Sequence, residues 1–386
     1  MTAQFNIPST VIVGAGARKE IGAQAKRLQV RRGLLVTDNY LEECGLAGEM
    51  SSSLEKEGIA TSIFSGVQPD PTDRNVLEGL GHFQETNSHL IVGLGGGSPM
   101  DTAKVISILA NNELPMSQYA GYHKIPKPGV PLIVIPTTAG TGSEVTKVAV
   151  ISDTERDMKM MMLDINLLPT VALVDYELSM TMPAPLTAHV GVDTLVHAVE
   201  AYVSKKANGM TDPIALSCIR LVAENLYTAF KQPNNRKARE GMMLAACQGG
   251  MAFANSSVCL VHGMSRPIGA LYHVPHGLSN AVLFPAVTEY SIPGALQRYA
   301  TIARVMGYAS EKDSDEAAGL ALVKGLRELN DKLEVPNLGQ CVKVDRKVFD
   351  ERVEKMASDG LASGSPGNNP VVPDVQQIVE LYHKAW

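Results

Sequence analysis

Leu90-Ile91-Val92-Gly93-Leu94-Gly95-Gly96-Gly97-Ser98-Pro99-Met100-Asp101 is the stretch on which the fold turns. Leu90–Gly93 is a short apolar run of strand character. Three consecutive glycines follow, then Ser98 at a helix N-cap position and Pro99 at the first helical position. Asp101, three residues after Ser98, completes an S-x-x-D capping arrangement. In such a strand–glycine–helix turn, backbone N–H groups approach an anion with no Cβ in the way. The helix dipole adds about half a positive charge at the same point. A pyrophosphate is the natural ligand, and a plain flexible turn is the competing reading.

The chain around this turn alternates short β-branched runs with helical stretches. Strands are expected at Thr10–Val13, Gly33–Thr37, Thr61–Phe64, His89–Gly93, Pro131–Ile135 and Val171–Asp175, with helices between them at Ala17–Leu28, Thr72–Thr86 and Pro99–Ala110. That alternation predicts an open, mostly parallel α/β sheet. Lys147–Ser152, followed by the polar Asp153–Asp157, reads as one arm of a hairpin on the same domain. After Met182-Pro183-Ala184-Pro185 the texture becomes helical: Thr187–Ser204, Asp212–Phe230, Lys237–Ser256, Gly294–Val305, Ser314–Leu329, Asp345–Ser358 and Pro373–Ala385. The expected domains are therefore 1–182, α/β, and 183–386, all-helical. Gly360–Pro370 reads as a solvated loop.

Composition narrows the function classes. The 386 residues are 45% apolar and 19% charged, enough for packed cores in two domains. Lys and Arg number 34 against 40 Asp and Glu, a net charge of −6, and no run of four basic residues occurs. A nucleic-acid or anionic-membrane surface is disfavoured. Met1–Thr10 has no positive or apolar signal region, and no apolar run reaches bilayer length, so a cytoplasmic protein is expected. The five cysteines are scattered without a CxxC pair and read as small apolar residues in a reducing compartment. The 34 glycines point to tight turns around phosphates, whereas the 17 methionines call for nothing beyond core filling.

Three further stretches bear on a dinucleotide. Val13-Gly14-Ala15-Gly16-Ala17-Arg18-Lys19 has G-x-G, but Lys19 stands where a small residue would allow close helix packing, so a simple turn is the better reading. Pro136–Thr146, with Thr137, Thr138, Thr141 and Thr146, places hydroxyls and glycines after a strand, where they can hold ribose and phosphate oxygens. Asp38 ends the second strand. A carboxylate there can accept from adenosine ribose hydroxyls and repel a 2′-phosphate, favouring NAD over NADP; a helix N-cap is the competing explanation.

In the helical half, Asp193 and His197 are four apart and share one helix face. His262 and His276 follow in Val261-His262-Gly263 and Pro275-His276-Gly277. One carboxylate and three imidazoles suit a divalent first-row metal. By spacing alone the Asp193/His197 pair could equally be an ordinary polar contact. His82, His89, His123, His189 and His383 fall in that ordinary class.

Gly95–Lys104 (GGGSPMDTAK), Thr137–Thr146 (TTAGTGSEVT), Gly191–Glu200 (GVDTLVHAVE) and Val261–Gly277 (VHG…PHG) together resemble the iron-containing, or group III, alcohol dehydrogenases. The resemblance spans essentially the whole chain. It implies a Rossmann-like N-terminal domain, an all-helical C-terminal domain of the dehydroquinate synthase-like type, and a cleft between them. It implies a divalent metal, Fe²⁺ ahead of Zn²⁺ or another first-row ion, held by Asp193, His197, His262 and His276. It implies NAD contacts at Asp38, Asp70, Gly96, Gly97, Ser98, Thr137, Thr138, Thr141, Thr146, Lys159 and Leu178. The implied reaction is reversible hydride transfer between a primary alcohol, or its aldehyde, and NAD(H), with the substrate oxygen at the metal, in a cytoplasmic homodimer or higher homo-oligomer.

The chain departs from the family at one place. Where many members read H-x-x-x-H, this sequence has His262-Gly263-Met264-Ser265-Arg266. Arginine is a poor base near neutral pH. Arg266 could bind an anionic substrate group through its planar fork, or anchor a neighbouring loop. His273 could take over proton relay, or be a surface histidine. Two other readings remain at this point. Sugar-directed and non-redox members of the same fold typically use three protein ligands, and the VHG…PHG pair argues against them. A binding protein that had lost the chemistry would show damaged ligands, and these are intact.

Overall fold

The structure, a computed structural model, describes residues 2–156 and 158–386. It divides into two compact units, Asn6–Ser179 and Met180–Trp386, the latter joined by the few residues ahead of Asn6. The division falls just before the Met182–Pro185 prolines.

The first unit is a parallel sheet wrapped by helices. Its strands are β1 (Thr10–Val13), β2 (Arg32–Val36), β3 (Ala60–Phe64), β4 (Leu90–Gly95), β5 (Gly121–Tyr122), β6 (Leu132–Pro136), β7 (Val148–Asp153), β8 (Met158–Leu163) and β9 (Val171–Val174). Its helices are α1 (Ile21–Arg27), α2 (Asn39–Glu43), α3 (Leu46–Glu55), α4 (Asp73–Glu85) and α5 (Gly97–Leu109). Six strands form one sheet in the order β1-β9-β6-β4-β2-β3, every pairing parallel. All residues of β4, β6 and β9 are buried, so both faces of the sheet centre are covered. Ile21, Leu35, Met50, Leu54, Leu90, Val92, Ile133 and Leu173 form its core, with Leu178 packed against it.

The chain moves outward from β2 to β3, returns to β4, then continues the other way through β6 and β9. The β2–β4 boundary is thus a switch point, where open α/β sheets bind ligands beyond their strand ends. Asp38 and Gly95–Gly97 follow the two strands that flank it. The Gly14/Gly16 turn instead follows the edge strand β1. There Arg18 grips Asp175 and Glu177 at 2.7 and 3.0 Å and Glu49 at 3.0 Å, a structural clamp in line with the plain-turn reading.

The Lys147–Ser152 expectation becomes β7, antiparallel to β8, with β5 completing a small second sheet. In the Asp153–Asp157 turn, Asp153 Oδ1 accepts from the backbone N–H of Glu155 and Arg156, each at 3.0 Å; Asp157 lies outside the described residues. Four of the methionines sit in β8, where Met160 and Met162 are buried.

The second unit is helical: α6 (Ala184–Val203), α7 (Asp212–Lys231), α8 (Arg236–Ala254), α9 (Leu260–Tyr272), α10 (His276–Ser291), α11 (Leu296–Val305), α12 (Asp315–Lys332), α13 (Leu338–Val342), α14 (Arg346–Asp350), α15 (Val353–Ala362) and α16 (Val375–Ala385). Among the described residues no helix is long and apolar enough to cross a membrane. Three expectations need correction. The Asp345–Ser358 helix is broken into α14 and α15. The Gly360–Pro370 segment is packed, not solvated: Gly360, Ser365, Pro366 and Asn369 are buried, and Asn369 donates to Ser291 Oγ at 2.9 Å. Of the cysteines, Cys218, Cys247 and Cys259 are buried as expected, while Cys44 is exposed and Cys341 half-buried.

The register of α6 is fixed at its start. Arg239 on α8, fully buried, donates to Met182 O, Thr187 Oγ1 and Pro233 O at 3.0, 2.8 and 2.9 Å. Truncation would open a cavity and leave three buried acceptors without their donor. Arg239→Ala is expected to lower the unfolding free energy by about 3 kcal/mol in urea titration. A loss below about 1 kcal/mol would show that this anchor is dispensable.

Candidate metal and nucleotide sites

Helix α6 is buried nearly all round, yet one of its faces is polar. Asp193, His197 and Glu200 stand at i, i+4 and i+7 and are all buried. His262 lies in the first turn of α9 and His276 is the first residue of α10. The glycine after each of these histidines permits close backbone approach. A Cβ on Gly277 would sit 2.8 Å from His189 O on α6, and one on Gly263 2.6 Å from Pro366 Cγ.

One donor atom from each of Asp193, His197, His262 and His276 lies within 4.8 Å of all the others. Asp193 Oδ1 is 3.8 Å from His197 Nε2, 3.6 Å from His262 Nε2 and 4.0 Å from His276 Nε2. Four ligands around a tetrahedral ion with bonds of about 2.1 Å lie about 3.4 Å apart, so the spacing is that of a coordination shell. The His197 and His262 rings stack at 4.7 Å, and Phe253 stacks on His197 at 4.4 Å.

The lone pairs converge as a cation requires. His262 Nδ1 is 2.7 Å from Glu200 Oε2 and is therefore the protonated nitrogen, which turns the Nε2 lone pair to the cluster. His276 is half exposed, and desolvation within the cluster, the neighbouring imidazoles and Arg266 lower it from the ordinary histidine value against the pull of Asp193, which favours its neutral ring. The amide nitrogen of Asn280, fully buried on α10, lies 2.6, 3.3 and 3.2 Å from Asp193 Oδ1, His262 Nε2 and His276 Nε2. Its two protons cannot serve three acceptors, and its own Oδ1 has no hydrogen-bond partner among the described residues. The residues fit a divalent metal.

In the other unit the glycine turn and the threonine loop come together. A Cβ on Gly96 would lie 3.5 Å from Thr138 Oγ1, and one on Gly97 3.2 Å from Thr141 Cγ2. Gly95 has φ +146, and a Cβ there would meet Pro99 Cγ at 2.6 Å. Helix α5 starts at Gly97, so the first-turn N–H groups face the end of β4 without intrahelical partners. The cradle fits a pyrophosphate.

Asp101 corrects the capping expectation. The α5 N-cap is Gly96 with no side-chain cap, and Asp101 instead accepts from Ser143 Oγ at 2.7 Å and Val150 N at 2.9 Å. Lys104, one turn on and fully buried, donates to Ser143 Oγ, Thr146 Oγ1 and Val148 O at 2.7, 3.1 and 2.8 Å. Together they pin the threonine loop to α5. Thr146 Oγ1 thus accepts from Lys104 and donates to Ser143 O at 3.3 Å. Asp38 caps α2, accepting from Leu41 N at 2.9 Å. Asp70 and Lys159 are brought together as an ion pair although 89 residues apart. Leu178 packs on the sheet core, and Ser98 is half-buried beside the glycines. His273 is exposed at the C-cap of α9 with φ +53, and Arg266 lies one turn after His262.

Residues 8–176 match the family model for iron-containing alcohol dehydrogenase, and residues 187–386 match that for the C-terminal part of the same family. The chain belongs to the iron-containing alcohol dehydrogenases. It is 37% identical to an NAD-dependent methanol dehydrogenase of Bacillus methanolicus over 99% of both chains. It is 37% identical to a lactaldehyde reductase of Escherichia coli K12 over 100% of both. A solved 1,3-propanediol oxidoreductase superposes with a TM-score of 0.97 at 36% identity, covering 100% of each chain. Membership makes the protein a metal-dependent alcohol–aldehyde oxidoreductase, and the Asp/His₃ cluster is where such a chain would hold its ion.

Sequence reasoning passed over Lys104, Asn280 and Glu200. Lys104 carried a signal: a lone cation among Ala103, Val105, Ile106, Ile108 and Leu109 has no apolar role. Burial also pushes the neighbouring Glu144 up to about 7, against its own N–H and Lys104. Its unfolded value is near 4.5. Between these pH values the unfolded chain releases a proton that the folded chain keeps, so this group's stabilising contribution is lost as pH rises. In the cofactor-free protein, Glu144→Gln is expected to match the parent at pH 4.5. It should then gain on it by up to about 1.4 kcal/mol per pH unit towards pH 7. A difference that does not vary with pH would contradict this.

Proposed function

We propose that the protein transfers hydride reversibly between a primary alcohol, or its aldehyde, and NAD(H). The observation that carries this reading is the convergence of Asp193, His197, His262 and His276 on one point. A bound divalent ion, iron or another first-row metal, supplies Lewis acidity toward the substrate oxygen, and the nicotinamide supplies or takes the hydride. The chain's own residues do the rest. Gly96, Gly97 and Ser98 present backbone N–H groups to the pyrophosphate, and Thr137, Thr138 and Thr141 offer hydroxyls beside it. Thr146, held by Lys104, keeps that loop in place. Asp38 accepts from the ribose hydroxyls with the carboxylate oxygen not used for capping α2, which favours NAD over NADP. The Asp70–Lys159 pair and Leu178 are assigned to cofactor contacts on the strength of the family resemblance. A homo-oligomer working in the cytoplasm completes the proposal; light scattering on the purified protein reads its assembly.

Removing the metal with a chelator is expected to abolish nicotinamide-linked turnover, and adding Fe²⁺ or Zn²⁺ back to restore it. Full activity in protein shown to contain no metal would contradict the reading.

Arg266 is proposed to bind an anionic group of the substrate. Arg266 stands one helical turn after His262 on α9, and its charge contributes to the depression of His276. Arg266→His should lower kcat/KM for a carboxylated aldehyde at least tenfold more than for a neutral one of the same length. Equal loss on both would remove the role. His273 is proposed to relay protons to solvent; in the same assays His273→Asn should displace the pH–rate profile, and an unmoved profile would exclude it.

A further inference from the structure

We infer that Glu200 is the positioning residue of the metal centre: its carboxylate fixes the tautomer and ring plane of His262 and ties that ligand to the helix bearing Asp193 and His197. The inference rests on the metal reading above. Glu200 lies on α6 one turn past His197 and is 3% exposed. Its Oε1 accepts from Val261 N at 2.6 Å, and its Oε2 from Cys259 N at 2.8 Å and His262 Nδ1 at 2.7 Å.

Cys259 is the N-cap of α9 and supplies no side-chain cap of its own. The α9 amides that a cap would serve are therefore satisfied by a carboxylate from another helix, where the dipole favours negative charge. The same carboxylate accepts the Nδ1–H of His262. A neutral imidazole has one proton, so this hydrogen bond leaves Nε2 as the lone-pair donor toward Asp193, His197 and His276. One side chain thus caps α9, orients the ring and selects the tautomer. Buried carboxylates behind ligating histidines raise ligand basicity, and their loss typically costs 10–100-fold in metal affinity.

Gln preserves the shape of Glu200 but turns an N–H₂ toward donors that need an acceptor. The test measures Zn²⁺ affinity of the full chain by competition with a chromophoric chelator, for the parent, Glu200→Gln, and Leu322→Ala. The last is a core truncation on α12, away from the cluster, that lowers the melting temperature of the metal-free protein. Glu200→Gln is expected to bind Zn²⁺ about 10–100-fold more weakly. Leu322→Ala should stay close to the parent. A loss in Glu200→Gln no greater than in Leu322→Ala overturns the inference. Nitrogen-15 NMR of the metal-free parent chain supplies a readout that needs no variant: His262 should be in the Nδ1–H form, and an Nε2–H form overturns the inference even if Glu200→Gln does not fold. If the parent itself binds no Zn²⁺, the metal reading fails, while the tautomer still reports on Glu200.

Discussion

The helical unit is organised around a cost that only an ion or a full set of hydrogen bonds can offset. Helix α6 is buried along most of its length, yet it carries a carboxylate, an imidazole and a second carboxylate on one stripe. Burying such groups unpaired costs several kcal/mol each. Glu200 is satisfied by the N-terminus of α9. Asp193, His262 and His276 converge on one point, where the amide nitrogen of Asn280 lies within hydrogen-bond distance of all three. A cation at the shared point would offset the cost that the single amide leaves. The close approaches at Gly277 and Gly263 follow from that requirement, because the N-terminal turns of α10 and α9 must come near enough to deliver their histidines.

The α/β unit solves a related problem with a different device. Its glycine turn leaves backbone N–H groups at the start of α5 without intrahelical partners, and the loop ends need another hold. Asp101 and Lys104 hold them from beneath, on the buried side of α5. Every Lys104 proton has an acceptor, so the ammonium acts as a three-way tie and not as a phosphate contact. Burial lowers its pKa from the ordinary lysine value, with Asp101 and Glu144 opposing. The threonine loop therefore arrives at Gly96 and Gly97 already shaped.

The sheet was largely legible because its strands are short apolar runs between glycine and proline punctuation; the six expected strands differ from those observed by only a residue or two at their ends. The four metal-directed residues were legible as a resemblance and, for Asp193 and His197, as a helical spacing. The helices bearing the other two were not. Gly263, Pro267 and Gly269 interrupt α9, and Pro285 interrupts α10, so local propensity argued against both where tertiary packing prevails. Asp101 was misread because its spacing from Ser98 satisfies a capping rule, although its side chain is drawn to Ser143 and Val150. The Gly360–Pro370 stretch has loop composition but lies under α9, where Pro366 meets Gly263. Glu200 and Asn280 left no mark beyond their spacing, since their roles depend on helices distant in sequence.

X-ray absorption at the zinc edge of the Zn²⁺-loaded protein tests the central claim most directly. The account predicts one ion per chain with three imidazole nitrogens at about 2.0–2.1 Å and a carboxylate oxygen at about 2.0–2.2 Å. A sulfur scatterer near 2.3 Å, or a shell with fewer than three imidazoles, would contradict it.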